Sequence, residues 1–146
     1  MIKKQDKQKL HSIIVNGVIF KGDKVLVSQR STSESHEPGK WTIPGGKVDR
    51  TEGDVFNIIE KTLAREIREE TGVEIKDEIQ LVTNNTFIRT DGQHVIALIF
   101  KCLYKSGKPR PLEDTTDCRW VSLSEVRSMD FPPNVKGYIL KSYAKN

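Results

Sequence analysis

The chain has 146 residues, of which 36% are hydrophobic and 30% charged, and its net charge at pH 7 is +4. This length predicts one domain, large enough to bury a core without a disulfide framework. Two cysteines and the lack of a long apolar run predict a cytosolic protein with no membrane span. The charge excess is too small to indicate a nucleic-acid-binding protein, and the sequence has no basic stripe interleaved with aromatic residues, so nucleic acid is not the expected partner.

The charge is distributed unevenly along the chain. Residues 1–10 hold four lysines and one aspartate, and we predict that they form a mobile basic tail. Residues 49–80 hold ten acidic and five basic residues, a net charge of −5. An acidic middle in a basic chain marks this region as a candidate functional site.

Apolar periodicity predicts strands, a helix, more strands and two terminal helices. Residues 12–20 and 24–30 are rich in β-branched residues and predict a β-hairpin. Residues 54–71 predict a helix, with Asp54 as its N-cap and Gly72 just beyond its end. This order predicts a single domain over residues 1–146, of α/β or α+β class, with helices packed on a mixed sheet. The other predicted elements are strands at 41–43, 79–89, 94–105 and 120–121 and helices at 123–129 and 134–144.

The helix predicted at 54–71 carries glutamates close to the face that packs on the core. At about 100° per residue, Glu70 falls inside the apolar stripe, Glu66 lies at its edge and Glu69 lies further round. An inward carboxylate must be paired, protonated or bound to a metal, because its burial without a partner costs several kcal/mol. The apolar stripe consists of Phe56, Ile59, Leu63 and Ile67.

Two interpretations of this acidic cluster are open. It is either a solvated helix end with salt bridges such as Arg65–Glu69, or a site for a hard divalent cation, Mg²⁺ or Mn²⁺. The cluster contains no histidine or cysteine, which argues against zinc. The glycine turn at 44–46 lets the backbone approach closely, and Glu52 adds a further carboxylate before the helix. Together these features favour phosphate chemistry through a bridging metal.

Residues 46–73 resemble the motif of the Nudix hydrolase family, and of its MutT-like members. That motif is Gly, five residues, Glu, seven residues, and then Arg-Glu-apolar-x-Glu-Glu-x-Gly-apolar. Gly46, Glu52 and the run from Arg65 to Val73 stand at its defined positions. Twelve residues, 53–64, separate Glu52 from Arg65 instead of seven, so the motif contains a five-residue insertion. The resemblance implies a Nudix-type α/β/α sandwich with a mixed β-sheet.

The resemblance also implies a metal-dependent hydrolase. Its reaction would break a pyrophosphate bond in a nucleoside diphosphate linked to another moiety, and a (d)NTP or related nucleotide is the favoured substrate. Mg²⁺ or Mn²⁺ would neutralise phosphoryl charge and activate water. Glu69 is either a metal ligand or the general base in this scheme. By the family pattern the metal ligands are Gly46, Glu66 and Glu70, and the catalytic residues are Glu69, Glu66, Arg65 and Glu52.

Three residues outside the motif are candidates for substrate binding. Arg30 ends a strand and could reach a phosphate or form an edge salt bridge. Phe87 could stack on a base or serve as a core aromatic. Glu113 could add a carboxylate to the site, as in several Nudix enzymes, or belong to a solvated acidic loop.

A second function of a different class is a nucleotide-binding or regulatory Nudix-like domain without turnover. The presence of Glu66, Glu69 and Glu70 favours the hydrolase, because a non-catalytic relative would usually lack some of them. The expected partner is a small-molecule nucleotide, and the resemblance leaves a homodimer open.

Overall fold

The computed structural model describes residues 11–34 and 37–146. The predicted basic tail at 1–10 lies outside the described residues. Within them, no helix combines the length and the apolar character needed to cross a membrane.

One mixed sheet forms the centre of the described structure. Its strands are β1 (Ser12–Lys21), β2 (Lys24–Arg30), β3 (Trp41–Thr42), β4 (Gly45–Lys47), β5 (Glu74–Ile88), β6 (His94–Ser106) and β7 (Thr115–Val121). The main order is β3-β2-β1-β6-β5, with β4 paired to β1 and β7 paired to β2. β1 and β6 are parallel, whereas the other pairs are antiparallel.

Helices cover both faces of this sheet. They are α1 (Ile58–Thr71), α2 (Leu123–Ser128) and α3 (Val135–Ala144). On one face Leu63 and Ile67 of α1 join a buried cluster with Val15 and Ile19 of β1. On the other face α2 and α3 pack on a second cluster that includes Val18. The predicted α/β/α sandwich with a mixed sheet is therefore confirmed.

The start of α1 differs from the prediction. The helix begins at Ile58, and Asn57 before it has a left-handed backbone (φ 59°). This conformation turns the chain away from the helix axis, so Asp54 is not the N-cap. Phe56 lies before the helix with 80% of its surface exposed, and its predicted place in the core stripe is wrong.

The end of α1 agrees with the prediction. Gly72 has φ 77°, and its N–H donates to the carbonyl of Arg68 at 2.9 Å. This left-handed C-terminal residue is typical of glycine, which has no Cβ to clash there. The helix therefore stops within one turn of Glu70, which fixes that carboxylate near its C-terminal end.

Candidate active site

Glu70 is the carboxylate that the fold turns inward. Its Oε2 accepts a hydrogen bond from the N–H of Gly45 at 3.2 Å. Burial raises the pKa of Glu70 to about 8, and the charges of Glu66 and Glu113 push it in the same direction. The Gly45 hydrogen bond and the charge of Arg30 oppose this rise without cancelling it. The inward position predicted for Glu70 is therefore confirmed.

Gly46 and Glu66 form the second part of the site. Gly46 lies opposite Val15 in the β1–β4 pair, and a Cβ placed on it would overlap the carboxylate group of Glu66. The Glu66 side chain is 16% exposed. Burial raises the pKa of Glu66, and the Arg65 guanidinium counteracts the rise. Glycine at position 46 is thus required for Glu66 to lie directly against the backbone.

Gly46→Ala tests this contact. We expect turnover to fall by about tenfold or more and stability to fall by about 1–2 kcal/mol, because the new methyl group displaces the Glu66 carboxylate. Steady-state kinetics and thermal unfolding measure the two effects. Gly137→Ala in α3 is the control, since its Cβ would meet nothing within 4 Å. Wild-type turnover in a folded Gly46→Ala variant would show that Glu66 does not need this position.

Arg65 connects three carboxylates. Its Nη1 lies 3.4 Å from Oε1 of Glu66 and 3.6 Å from Oε2 of Glu69. Its Nη2 lies 3.8 Å from Oδ2 of Asp49, which precedes the inserted residues. The Arg65–Glu69 salt bridge is therefore present beside the inward carboxylates. The contact with Asp49 was not predicted, because no periodicity links a loop residue to a helix that follows it by sixteen positions.

The connection between β6 and β7 brings Glu113 to the site. The N–H of Arg110 donates to the carbonyl of Thr71 at 3.0 Å, and that of Leu112 donates to the carbonyl of Glu70 at 3.3 Å. These bonds hold the loop against the end of α1. The charge of Glu113 consequently raises the pKa of both Glu66 and Glu70.

Arg30 also lies near the inward carboxylate. It ends β2, and its Nη2 lies 3.4 Å from Oε2 of Glu34. Its positive charge lowers the pKa of Glu70. Arg30 therefore takes part in an edge salt bridge and contributes positive charge to the site.

Glu52 and Phe87 lie apart from this group. Glu52 is exposed between β4 and α1, and it forms no hydrogen bond or ion pair with the part of the chain that the structure describes. Phe87 packs against the cluster under α2 and α3, on the face of the sheet opposite α1. The core interpretation of Phe87 therefore matches its position.

The donor set at this site fits a hard divalent cation. Glu66 and Glu70 offer carboxylate oxygens next to the glycine turn, and such oxygens are the donors that Mg²⁺ and Mn²⁺ prefer. Within residues 11–34 and 37–146, no three acidic, histidine or cysteine side chains already surround one metal position. A bound cation would have to draw the glutamates together, and its positive charge would offset the repulsion between them.

The described residues thus form an α/β/α sandwich in which Glu66 and Glu70 lie beside a glycine turn. The chain belongs to the Nudix family, because the family model of the NUDIX domain matches residues 10–141. This match confirms the predicted family and, with it, the predicted class of enzyme, a Nudix hydrolase.

Similar proteins support the same assignment. The chain is 34% identical to a "MutT-like protein" of Streptomyces ambofaciens, over 80% of this chain and 68% of the relative. It is 32% identical to the "Putative 8-oxo-dGTP diphosphatase 2" of Mycobacterium tuberculosis, over 89% and 86% of the two chains. Its fold resembles the NUDIX domain of Shewanella oneidensis NrtR, solved with ADP ribose (TM-score 0.76, 22% identity, 92% and 88% coverage).

Proposed function

We propose that this protein hydrolyses a pyrophosphate bond in a nucleoside diphosphate linked to another moiety, with a (d)NTP or related nucleotide as substrate. The observation that carries the proposal is the inward Glu70, whose pKa is raised to about 8 beside Glu66 and Glu113. The burial of Glu70 and the negative charges of its neighbours disfavour its ionisation. A divalent cation and the phosphates it binds supply the missing positive charge, so we infer dependence on Mg²⁺ or Mn²⁺.

Each residue of the site has a distinct part in this proposal. The carbonyl of Gly46 and the carboxylates of Glu66 and Glu70 would hold the cation. When bound, the cation neutralises charge on the phosphoryl oxygens and makes a bound water more acidic. Arg65 keeps Glu66 and Glu69 oriented through contacts of 3.4 and 3.6 Å.

Glu69 is the residue best placed to exchange a proton with water. Its side chain is 41% exposed, whereas that of Glu66 is only 16% exposed. A solvent-facing carboxylate held by a guanidinium can accept a proton from attacking water and release it to bulk solvent. We therefore propose Glu69 as a general base or an additional ligand, Arg30 as a phosphate contact and Glu113 as a further carboxylate.

The names of similar proteins support nucleotides as the substrate class. One relative is named for 8-oxo-dGTP, and the NrtR domain was solved with ADP ribose. Both ligands contain a nucleoside linked to a chain of at least two phosphates, which is the feature that the proposed site recognises. Because this centre is rich in carboxylates and poor in lysine, it would act on such a ligand only with its cations bound. We place this activity in the cytosol, where nucleotides are abundant.

A substrate panel tests the proposal. Purified protein with Mg²⁺ is assayed against dNTPs, NTPs and nucleoside diphosphate sugars, with released phosphate measured after phosphatase coupling. We expect turnover of at least one nucleotide that disappears when EDTA is added. Binding without turnover across the panel would instead support the nucleotide-binding or regulatory domain, and no binding at all would refute both functions.

A further inference from the structure

Asp49 lies beside the arginine of the Nudix motif. It lies two residues beyond the end of β4 and three residues after Gly46, and its Oδ2 lies 3.8 Å from Nη2 of Arg65. Its negative charge also helps to raise the pKa of Glu66. Asp49 is therefore close both to Arg65 and to a candidate metal ligand on α1.

Two positions before the helix could correspond to the glutamate of the motif, Glu52 and Asn57, and neither contacts Arg65 as Asp49 does. Glu52, six residues after Gly46, is exposed and has no ion pair with the described residues. If the motif's spacing of seven residues is counted back from Arg65, its acidic position falls on Asn57. Asn57 is uncharged and forms no side-chain capping bond. Neither Glu52 nor Asn57 thus gives Arg65 an acidic partner before the helix.

The inserted residues explain why Glu52 does not contact Arg65. Residues 51–57 are exposed, and the segment from Val48 to Ile58 lines an open pocket of about 490 Å³. The segment therefore loops outward between β4 and α1. Asp49 stays near the helix because only two residues separate it from Gly46, which packs against Glu66.

We propose that Asp49 is the positioning residue that holds Arg65 against Glu66 and Glu69, through a contact that the exposed Glu52 of the motif does not make. This inference rests on the proposed function. Of the three carboxylates around Arg65, two belong to α1, and Asp49 is the one that precedes the helix. The Asp49–Arg65 contact therefore ties the strand that carries Gly46 to the helix that carries the glutamates.

The Asp49–Arg65 contact is weak, which allows an effect on the positioning of catalytic groups to be distinguished from an effect on stability. The Asp49 side chain is 73% exposed, and exposed ion pairs stabilise a fold only weakly. Misplacement of catalytic groups by about 1 Å can nevertheless reduce turnover by up to about 100-fold. A change at Asp49 should therefore affect kcat much more than the free energy of unfolding.

Kinetics of Asp49 variants form the first part of the test. We expect Asp49→Asn to lower kcat by about tenfold, while KM changes by less than about twofold and Tm by less than about 2 °C. Asp49→Glu should recover part of kcat, because it restores the charge. In an Arg65→Lys background, Asp49→Asn should have little further effect, since the guanidinium it holds is gone. Asp54→Asn, an exposed acid in the same segment, is the matched control with unchanged kinetics.

A measurement on the metal-free protein forms the second part. The ¹⁵N-detected Nε–H resonance of Arg65 should move in Asp49→Asn and stay in place in Glu52→Gln. An unchanged kcat in Asp49→Asn, or an Arg65 resonance that responds to Glu52→Gln alone, would overturn the inference. If the wild-type protein hydrolyses no nucleotide, the proposed function fails, and the resonances alone decide whether Asp49 holds Arg65.

Discussion

Glu70→Gln is expected to lower kcat by about 100-fold or more while leaving the fold intact. Glutamine has nearly the same shape, and its side-chain oxygen can still accept the hydrogen bond from Gly45. It lacks the negative charge that a divalent cation requires. Turnover with saturating Mg²⁺ and circular dichroism of the variant measure the loss of activity and the retained fold.

A control on the same helix makes this result specific. Glu60→Gln removes an exposed carboxylate in the first turn of α1, away from the glycine turn, and should leave kcat unchanged. Near-normal Mg²⁺-dependent turnover in folded Glu70→Gln would sink the assignment of Glu70 as a metal ligand. Equal losses in both variants would point to a general charge effect of the helix.

The stability of the metal-free protein should fall as the pH rises from 5 to 8. The pKa of Glu70 is raised from its ordinary value of 4.5 to about 8 in the folded state, so the folded protein binds more protons than the unfolded chain in this range. This excess stabilises the fold below pH 4.5 and is lost as the pH approaches 8. Each pKa unit is worth about 1.4 kcal/mol, so the decrease could reach about 4 kcal/mol.

Urea unfolding in EDTA at several pH values measures this decrease. Glu70→Gln should flatten the profile, because the variant has no proton to lose at this position. Added Mg²⁺ should raise the free energy of unfolding of the wild-type protein at pH 8, since a ligand that binds only the folded state shifts the unfolding equilibrium. Identical slopes for the wild type and Glu70→Gln would assign the pH dependence to other groups.

The parts of the fold that the sequence predicts well are those with a strong apolar period. Leu63 and Ile67 are fully buried and lie one turn apart on α1, which is why the inward position of Glu70 could be foreseen. The apolar runs in β1 and β6 were equally clear, because both strands are covered by helices.

The inserted segment could not be predicted in the same way. Phe56 fits the helical period of the apolar residues. The helix α1 nevertheless begins only at Ile58, because the left-handed backbone of Asn57 takes the preceding residues off the helix axis. Periodicity describes which face a residue would occupy and cannot show where the chain leaves the helix axis. The contact between Asp49 and Arg65 depends on this loop path and was missed for the same reason.

The first residues of β5 show another limit of local patterns. Residues 74–78 contain four charged side chains, and the predicted strand began only at Ile79. The structure extends β5 back to Glu74 because this segment pairs with the end of β6, with irregular register. Long-range backbone pairing outweighs the weak strand propensity of charged residues here.

The parallel pairing of β1 with β6 has a consequence for how the protein is made. Ser12 pairs with Val95, 83 positions further along the chain. At ribosomal speeds of about 5–20 residues per second, this partner is synthesised roughly 4–17 s after β1. During that interval the apolar β1 strand has no parallel neighbour. The nascent chain is therefore most exposed to aggregation before β6 emerges, and a chaperone that binds extended apolar segments would act on β1 at this stage.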